Sequence, residues 1–102
     1  MSRYRVILSG KARDQLEALY RYISAAASPD IARRYTDFIV EKCESLADFP
    51  DRGTPRDDLR PGLRTIVFRR RLIIVYGVEP NLVTILELLY AGQNAETLLR
   101  GG

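Results

Sequence analysis

Histidine and tryptophan are absent from this 102-residue sequence, cysteine and methionine occur once each, and lysine occurs only at Lys11 and Lys42. Each absence excludes something. With no histidine and one cysteine, a structural zinc site lacks ligands, and no imidazole can activate Cys43 as a nucleophile. A lone cysteine cannot close an internal disulfide, which agrees with a reducing compartment. The apolar stretch near the start, Val6-Ile7-Leu8, is too short for a signal-peptide core. No apolar run approaches the roughly 18 residues of a membrane span. The reading is a cytoplasmic protein with no membrane association, no metal and no cofactor. Residues 1–102 are expected to form one domain with a single modest core.

What is present is arginine, and it is unevenly placed. Residues 49–78 hold seven arginines against three aspartates, a balance of +4, in a chain whose total is +3. Arginine pairs bidentately with phosphate or carboxylate, so such a patch suits nucleic acid or an acidic protein surface. A genome that favours arginine codons would produce the same bias.

The pattern of apolar residues gives the elements. Tyr4 to Leu8 reads as a strand. Ser9 is placed to cap a helix from Lys11 to Ala27, whose apolar stripe is Ala12, Leu16, Leu19, Ile23 and Ala26, flanked by Tyr20 and Tyr22. Ser28-Pro29 starts a second helix reaching Ala47, with Ile31, Tyr35, Phe38, Ile39, Cys43 and Leu46 as its buried face. Cys43 on that face is a packing residue. The short break between the helices predicts an antiparallel hairpin. Pro50 and Gly53 stop the second helix, and the Pro-, Asp- and Gly-rich segment after them is a stiff connection. Strands follow at Leu63–Phe68, Leu72–Val78 and Leu82–Tyr90, separated by turns at Arg69-Arg70-Arg71 and Glu79-Pro80-Asn81. The middle strand is nearly all apolar and so is covered on both faces. Asn94 is placed to cap a short terminal helix containing Leu98 and Leu99. The order β-α-α-β-β-β predicts an α+β fold, with the helix hairpin on one face of a small, mainly antiparallel sheet.

The connection also carries a spacing that is more specific than any amphipathic helix. Phe49-Pro50, Arg52-Gly53, Pro55-Arg56 and Leu59-Arg60-Pro61-Gly62-Leu63-Arg64 resemble the central signature of the ParE-type toxins of the RelE/ParE superfamily. The first strand and helix (YRVILSGKARDQLEALYRYI), the second helix and the last hairpin are similar to the same family. Where its last strand commonly reads L-R-V-L-H-G-A-R-D, this chain has Leu86-Glu87-Leu88-Leu89-Tyr90-Ala91-Gly92-Gln93-Asn94.

The resemblance implies the toxin of a type II toxin–antitoxin pair that binds DNA gyrase, blocks replication without chemistry of its own, and is held by a cognate antitoxin in a hetero-oligomer. Arg60, Arg64, Arg69, Arg70 and Arg71 are then the candidates for target binding. Leu19, Tyr20 and Ile23 are the candidates for antitoxin binding, although Leu19 and Ile23 also fit a core. The alternative is a RelE-like ribosome-dependent messenger-RNA ribonuclease, which would need charge stabilisation from Arg64 and Arg71 and a proton carrier in Tyr90. A tyrosine with a pKa near 10 is a poor base at neutral pH, and the strand half lacks the lysines that RelE-like enzymes tend to use. The Arg69–Arg71 run has a plainer role available as well, keeping a hairpin tip solvated and discouraging edge-to-edge association.

Overall fold

The elements expected from periodicity are present, with one short strand added. The computed structural model describes residues 3–90. It contains β1 (Arg5–Leu8), α1 (Gly10–Ala26), α2 (Pro29–Glu44), β2 (Thr54–Pro55), β3 (Leu63–Phe68), β4 (Leu72–Glu79) and β5 (Leu82–Tyr90). The sheet order is β1-β5-β4-β3-β2, with β1 parallel to β5 and every other pairing antiparallel. This is the α+β architecture that the element order requires. The expected cap at Asn94 and the terminal helix lie outside the described residues.

Both helices begin on a serine. Ser9 Oγ accepts from the Ala12 amide at 3.0 Å, and Ser28 Oγ accepts from the Ile31 amide at 3.1 Å with Pro29 in the first helical turn. These bonds satisfy amides that the helix itself leaves without partners. Ala12, Leu19, Ile39, Cys43 and Leu46 then pack on Leu72, Ile74, Tyr76, Val83, Ile85 and Leu88 of the sheet. Full burial of an Ile or Leu side chain contributes about 1.5–3 kcal/mol, so this cluster carries most of the fold's stability. A smaller cluster on the opposite face joins Leu63, Val75 and Leu89 to Leu59, Ile73 and Leu86. β4 therefore contributes Ile74 and Tyr76 to one face and Val75 to the other, as its continuous apolar run requires.

Three expectations are corrected. The second helix ends at Glu44, and Ser45–Ala47 continue as a 3-10 turn. Ile31 and Phe38 are exposed, at 51% and 42%, while Ala32 is buried in their place. The buried line of α2 is Ala32, Ile39 and Cys43, because α2 packs chiefly on α1, so side chains one position round the helix pass the sheet's edge. Ala26, the last residue of α1, is exposed as well. Thr54–Pro55 is the strand that was not expected, an edge pair in which Pro55 opposes Arg64.

One irregularity shapes the end of β5. Val75 pairs with Glu87 but Tyr76 pairs with Ile85, so Leu86 is an extra residue. β1 stops at Leu8 opposite Ile85. Past that point side chains take over its role. Ser9 Oγ donates to the Leu86 carbonyl at 3.0 Å, and Gln15 Oε1 accepts from the Leu88 amide at 2.7 Å.

Candidate functional site

The arginines of the strand half divide between two ends of the sheet. At the connection end they act on the chain's own backbone. Arg64, on β3, donates from Nη1 to the carbonyls of Asp51 at 3.0 Å and Gly53 at 2.7 Å, with the Asp51 carboxylate 3.6 Å from Nη2. Tyr76 fastens the same turn from β4. Its hydroxyl donates to the Pro50 carbonyl at 2.9 Å and accepts from the Gly53 amide at 2.9 Å. Gly53 is required here, since a Cβ would stand 2.4 Å from that hydroxyl and 2.7 Å from the Thr65 carbonyl. Burial pushes the Tyr76 phenol above its usual range, and the Gly53 hydrogen bond and Arg64 offset part of that. Arg52 donates to Ser45 Oγ at 3.2 Å and lies over the Phe49 ring at 5.3 Å. Arg56 makes a two-point contact with Asp58 at 3.0 and 3.1 Å. Much of the diagnostic spacing is thus a clasp that joins the helical half to the strands.

At the other end the arginines face outward. The β3–β4 turn places Arg69 and Arg70 at φ 53° and 61°, and the Arg71 amide donates to the Phe68 carbonyl at 3.1 Å. Two successive left-handed residues define a type I′ turn, for which Asn-Gly is the usual sequence. The Arg69 guanidinium lies 4.5 Å from the Phe38 ring and 5.2 Å from Phe68, so it covers the phenylalanine that α2 leaves exposed. Tyr35 meets Phe68 edge-on at 5.7 Å. Its hydroxyl is buried with no hydrogen-bond partner among the described residues. Burial, with Tyr90 close by, raises the Tyr35 pKa, and Arg69 and Arg71 pull in the opposite direction. Tyr90 pairs with Leu72 at the end of β5, with its ring 6.3 Å from that of Tyr22. Beside them lies a hollow of about 370 Å³ lined by Gln15, Leu19, Tyr22, Leu72, Leu88 and Tyr90.

The sequence-derived candidates therefore separate. Arg69, Arg70, Arg71 and Tyr90 share one pole. Arg64 is in the clasp, four residues back along β3 from Phe68, roughly 13 Å at strand spacing. Arg60 is exposed elsewhere, at a crevice on the face opposite the helices with Leu59, Lys11 and Glu87, the last two forming an ion pair. Leu19 belongs to the core and Ile23 packs against it, while Tyr20 is half-buried in the outer groove between the helices, beside Arg13, Glu17 and Asp37. Cys43 is buried, and burial, with Glu44 adding to it, pushes its thiol up to about 12, which suits a packing residue. Sequence reasoning missed Tyr76 as the partner of the Pro50–Gly53 turn and Phe38 as a seat for Arg69. Both are long-range contacts without a local signal. Among the described residues no group of three or more His, Cys, Asp or Glu is placed to hold a metal ion, and no helix is long and apolar enough to cross a membrane.

Comparison with known proteins gives this geometry a context. Residues 6–95 match the family model described as the ParE toxin of type II toxin-antitoxin system, parDE. A chain in the chromosomal ParDE TA system from P. aeruginosa is 24% identical, with 85% of this chain and 95% of that chain covered and a TM-score of 0.75. A chain of the RelBE2 toxin-antitoxin complex from Mycobacterium tuberculosis is 23% identical, with coverage of 88% and 93% and a TM-score of 0.65. These two are likenesses of fold. No curated protein sequence matches.

Proposed function

Because the chain belongs to the ParE toxin family of type II toxin–antitoxin systems, we propose that it arrests growth by binding DNA gyrase and blocking replication, and that a cognate antitoxin holds it inactive. It acts as a binding inhibitor in the cytoplasm, without a catalytic step of its own. The observation that carries this reading is the division of the arginines. Arg70 and Arg71 are exposed at a hairpin tip and form no ion pair among the described residues, so they have no evident task within the fold. A ribonuclease built on Arg64, Arg71 and Tyr90 would have to gather groups that stand at opposite ends of β3, one of them engaged with two backbone carbonyls. General acid–base chemistry needs its groups within hydrogen-bond reach of one reacting centre.

An antitoxin has two kinds of surface to cover. One is the Tyr22–Tyr90 hollow with the apolar residues around it, and the other is the outer groove of the helix hairpin where Tyr20 lies.

The test is pulse labelling of DNA and protein synthesis within minutes of inducing the protein without its antitoxin, paired with a supercoiling assay on purified gyrase. DNA synthesis falls first and supercoiling is inhibited. If translation falls first while supercoiling is untouched, the gyrase reading is wrong.

A further inference from the structure

We propose that the β3–β4 turn is a nucleic-acid backbone contact, in which Arg70 and Arg71 bind phosphates of duplex DNA and Arg69 is the positioning residue that fixes the turn on α2. This rests on the gyrase reading for its choice of partner, since gyrase works on duplex DNA, and it deepens that reading by assigning the contact to the DNA.

The first argument is the backbone. Arg69 and Arg70 both hold the left-handed conformation, at φ 53° and 61°, which side chains with a Cβ disfavour. A hairpin tip needing only solubility would have Asn-Gly or Asp-Gly there, and these also stay solvated. Strain kept in place of an easier alternative points to function. The second argument is the mounting. Arg69 is spent on Phe38 and Phe68, which anchors the turn and projects the next two guanidinium groups from a fixed base. The third is the charge of the neighbourhood. Arg34 and Lys42 lie four residues before and after Phe38, so they share its side of α2 and extend the basic stripe past the turn. Glu41 is the acidic residue within the same arc. A stripe of cations along one surface is the electrostatic footprint expected for a contact with the phosphate backbone. Guanidinium forks suit phosphate oxygens.

The experiment is fluorescence anisotropy with a labelled 20-base-pair duplex across about 50–200 mM NaCl. Arg70→Gly is the informative variant, because relief of the left-handed strain is expected to raise its Tm by about 2–6 °C. Misfolding then cannot explain a loss of binding. Each arginine removed is expected to reduce the slope of log K against log salt by about 0.9 and to weaken binding at 100 mM salt by about tenfold. Arg70→Gly with Arg71→Ala should therefore lower the slope by about 2, while Arg5→Ala on β1 at the far edge of the sheet leaves it unchanged. The proposal is overturned if the wild-type protein does not bind duplex at 50 mM salt, or if the double variant keeps the wild-type slope. It is also overturned if the variants bind DNA normally but lose their hold on gyrase protein, since the tip then meets an acidic protein surface. Gyrase inhibition by the wild-type protein is scored separately by supercoiling, so either claim can fail while the other stands.

Discussion

Replacing Tyr76 by phenylalanine removes one oxygen from the centre of the protein, and the structure sets the cost. The ring stays, fully buried among Ile74, Val83 and Ile85, so the packing term is almost unchanged. What is lost is the bridge from the hydroxyl to the Pro50 carbonyl and the Gly53 amide, each 2.9 Å away. Both partners are enclosed, so water does not replace the hydroxyl. An orphaned buried polar group costs about 1–3 kcal/mol. The carbonyl's second lone pair and Arg64's continued grip on Asp51 and Gly53 keep the total nearer the low end for each group, about 2–4 kcal/mol in all. For a domain of this size that is a large part of its stability, and Tm should fall by roughly 10–20 °C. Urea unfolding followed by circular dichroism should show a lower midpoint with an unchanged slope. A loss below about 1 kcal/mol would mean that the turn is held by Arg64 and Pro50 without Tyr76, and the clasp described above would be wrong. Arg64→Ala measured alone and with Tyr76→Phe should give a coupling above about 0.5 kcal/mol, because both side chains bind the same turn.

Three further outcomes follow from neighbouring features. Gly53→Ala should destabilise strongly, and Tyr76→Phe should not rescue it, because the new Cβ still meets the Thr65 carbonyl at 2.7 Å; thermal melts of the single and double variants decide this. Tyr35→Phe should be neutral or stabilising by up to about 1 kcal/mol, since it deletes a buried hydroxyl with no partner among the described residues; a clear destabilisation in urea would show that the hydroxyl has an acceptor. Stability should be flat through neutral pH and decline from about pH 9 to about 12. Cys43 ordinarily titrates near 9.0 and is raised to about 12 in the fold. The unfolded chain therefore loses its proton first, and folding loses ground as pH rises. Tyr35 and Tyr76, raised above 10.0, add to the decline above that pH. Cys43→Ala should flatten the first part of the curve, and an unaltered curve would contradict the thiol's burial.

The sequence made the elements legible because each announces itself locally. Ser9 and Ser28-Pro29 mark helix starts, Pro50 and Gly53 mark a stop, and the apolar run of β4 marks a strand with two covered faces. What stayed hidden depends on residues far apart in the chain. Helical spacing alone makes Ile31 and Phe38 look buried, and only the placement of α2 beside α1 shows that they are not. Arg64 and Arg71 look equivalent in a list of basic residues. Arg64 is a brace, because it stands near the start of β3, seven residues before Arg71, within reach of Asp51 and Gly53. Of the target-binding candidates, Arg69 to Arg71 were picked out by their crowding at a turn. Their left-handed backbone and the seat on Phe38 could not be read from that crowding.

The parallel pairing of β1 with β5 has a consequence in time. Arg5 to Leu8 hydrogen-bond beside Leu82 to Ile85, so one side of the sheet joins segments nearly eighty residues apart. At translation rates of about 5–20 residues per second, β1 waits roughly 4–15 s for the strand that completes it. The helix hairpin can form during that interval, but its apolar stripe has no sheet to cover it. Contacts this distant in sequence also slow folding after release. The Arg70 tip, placed between β3 and β4, leaves the ribosome before β5 does. It is therefore made before the sheet that holds it steady, and the finished surface arrives late and all at once.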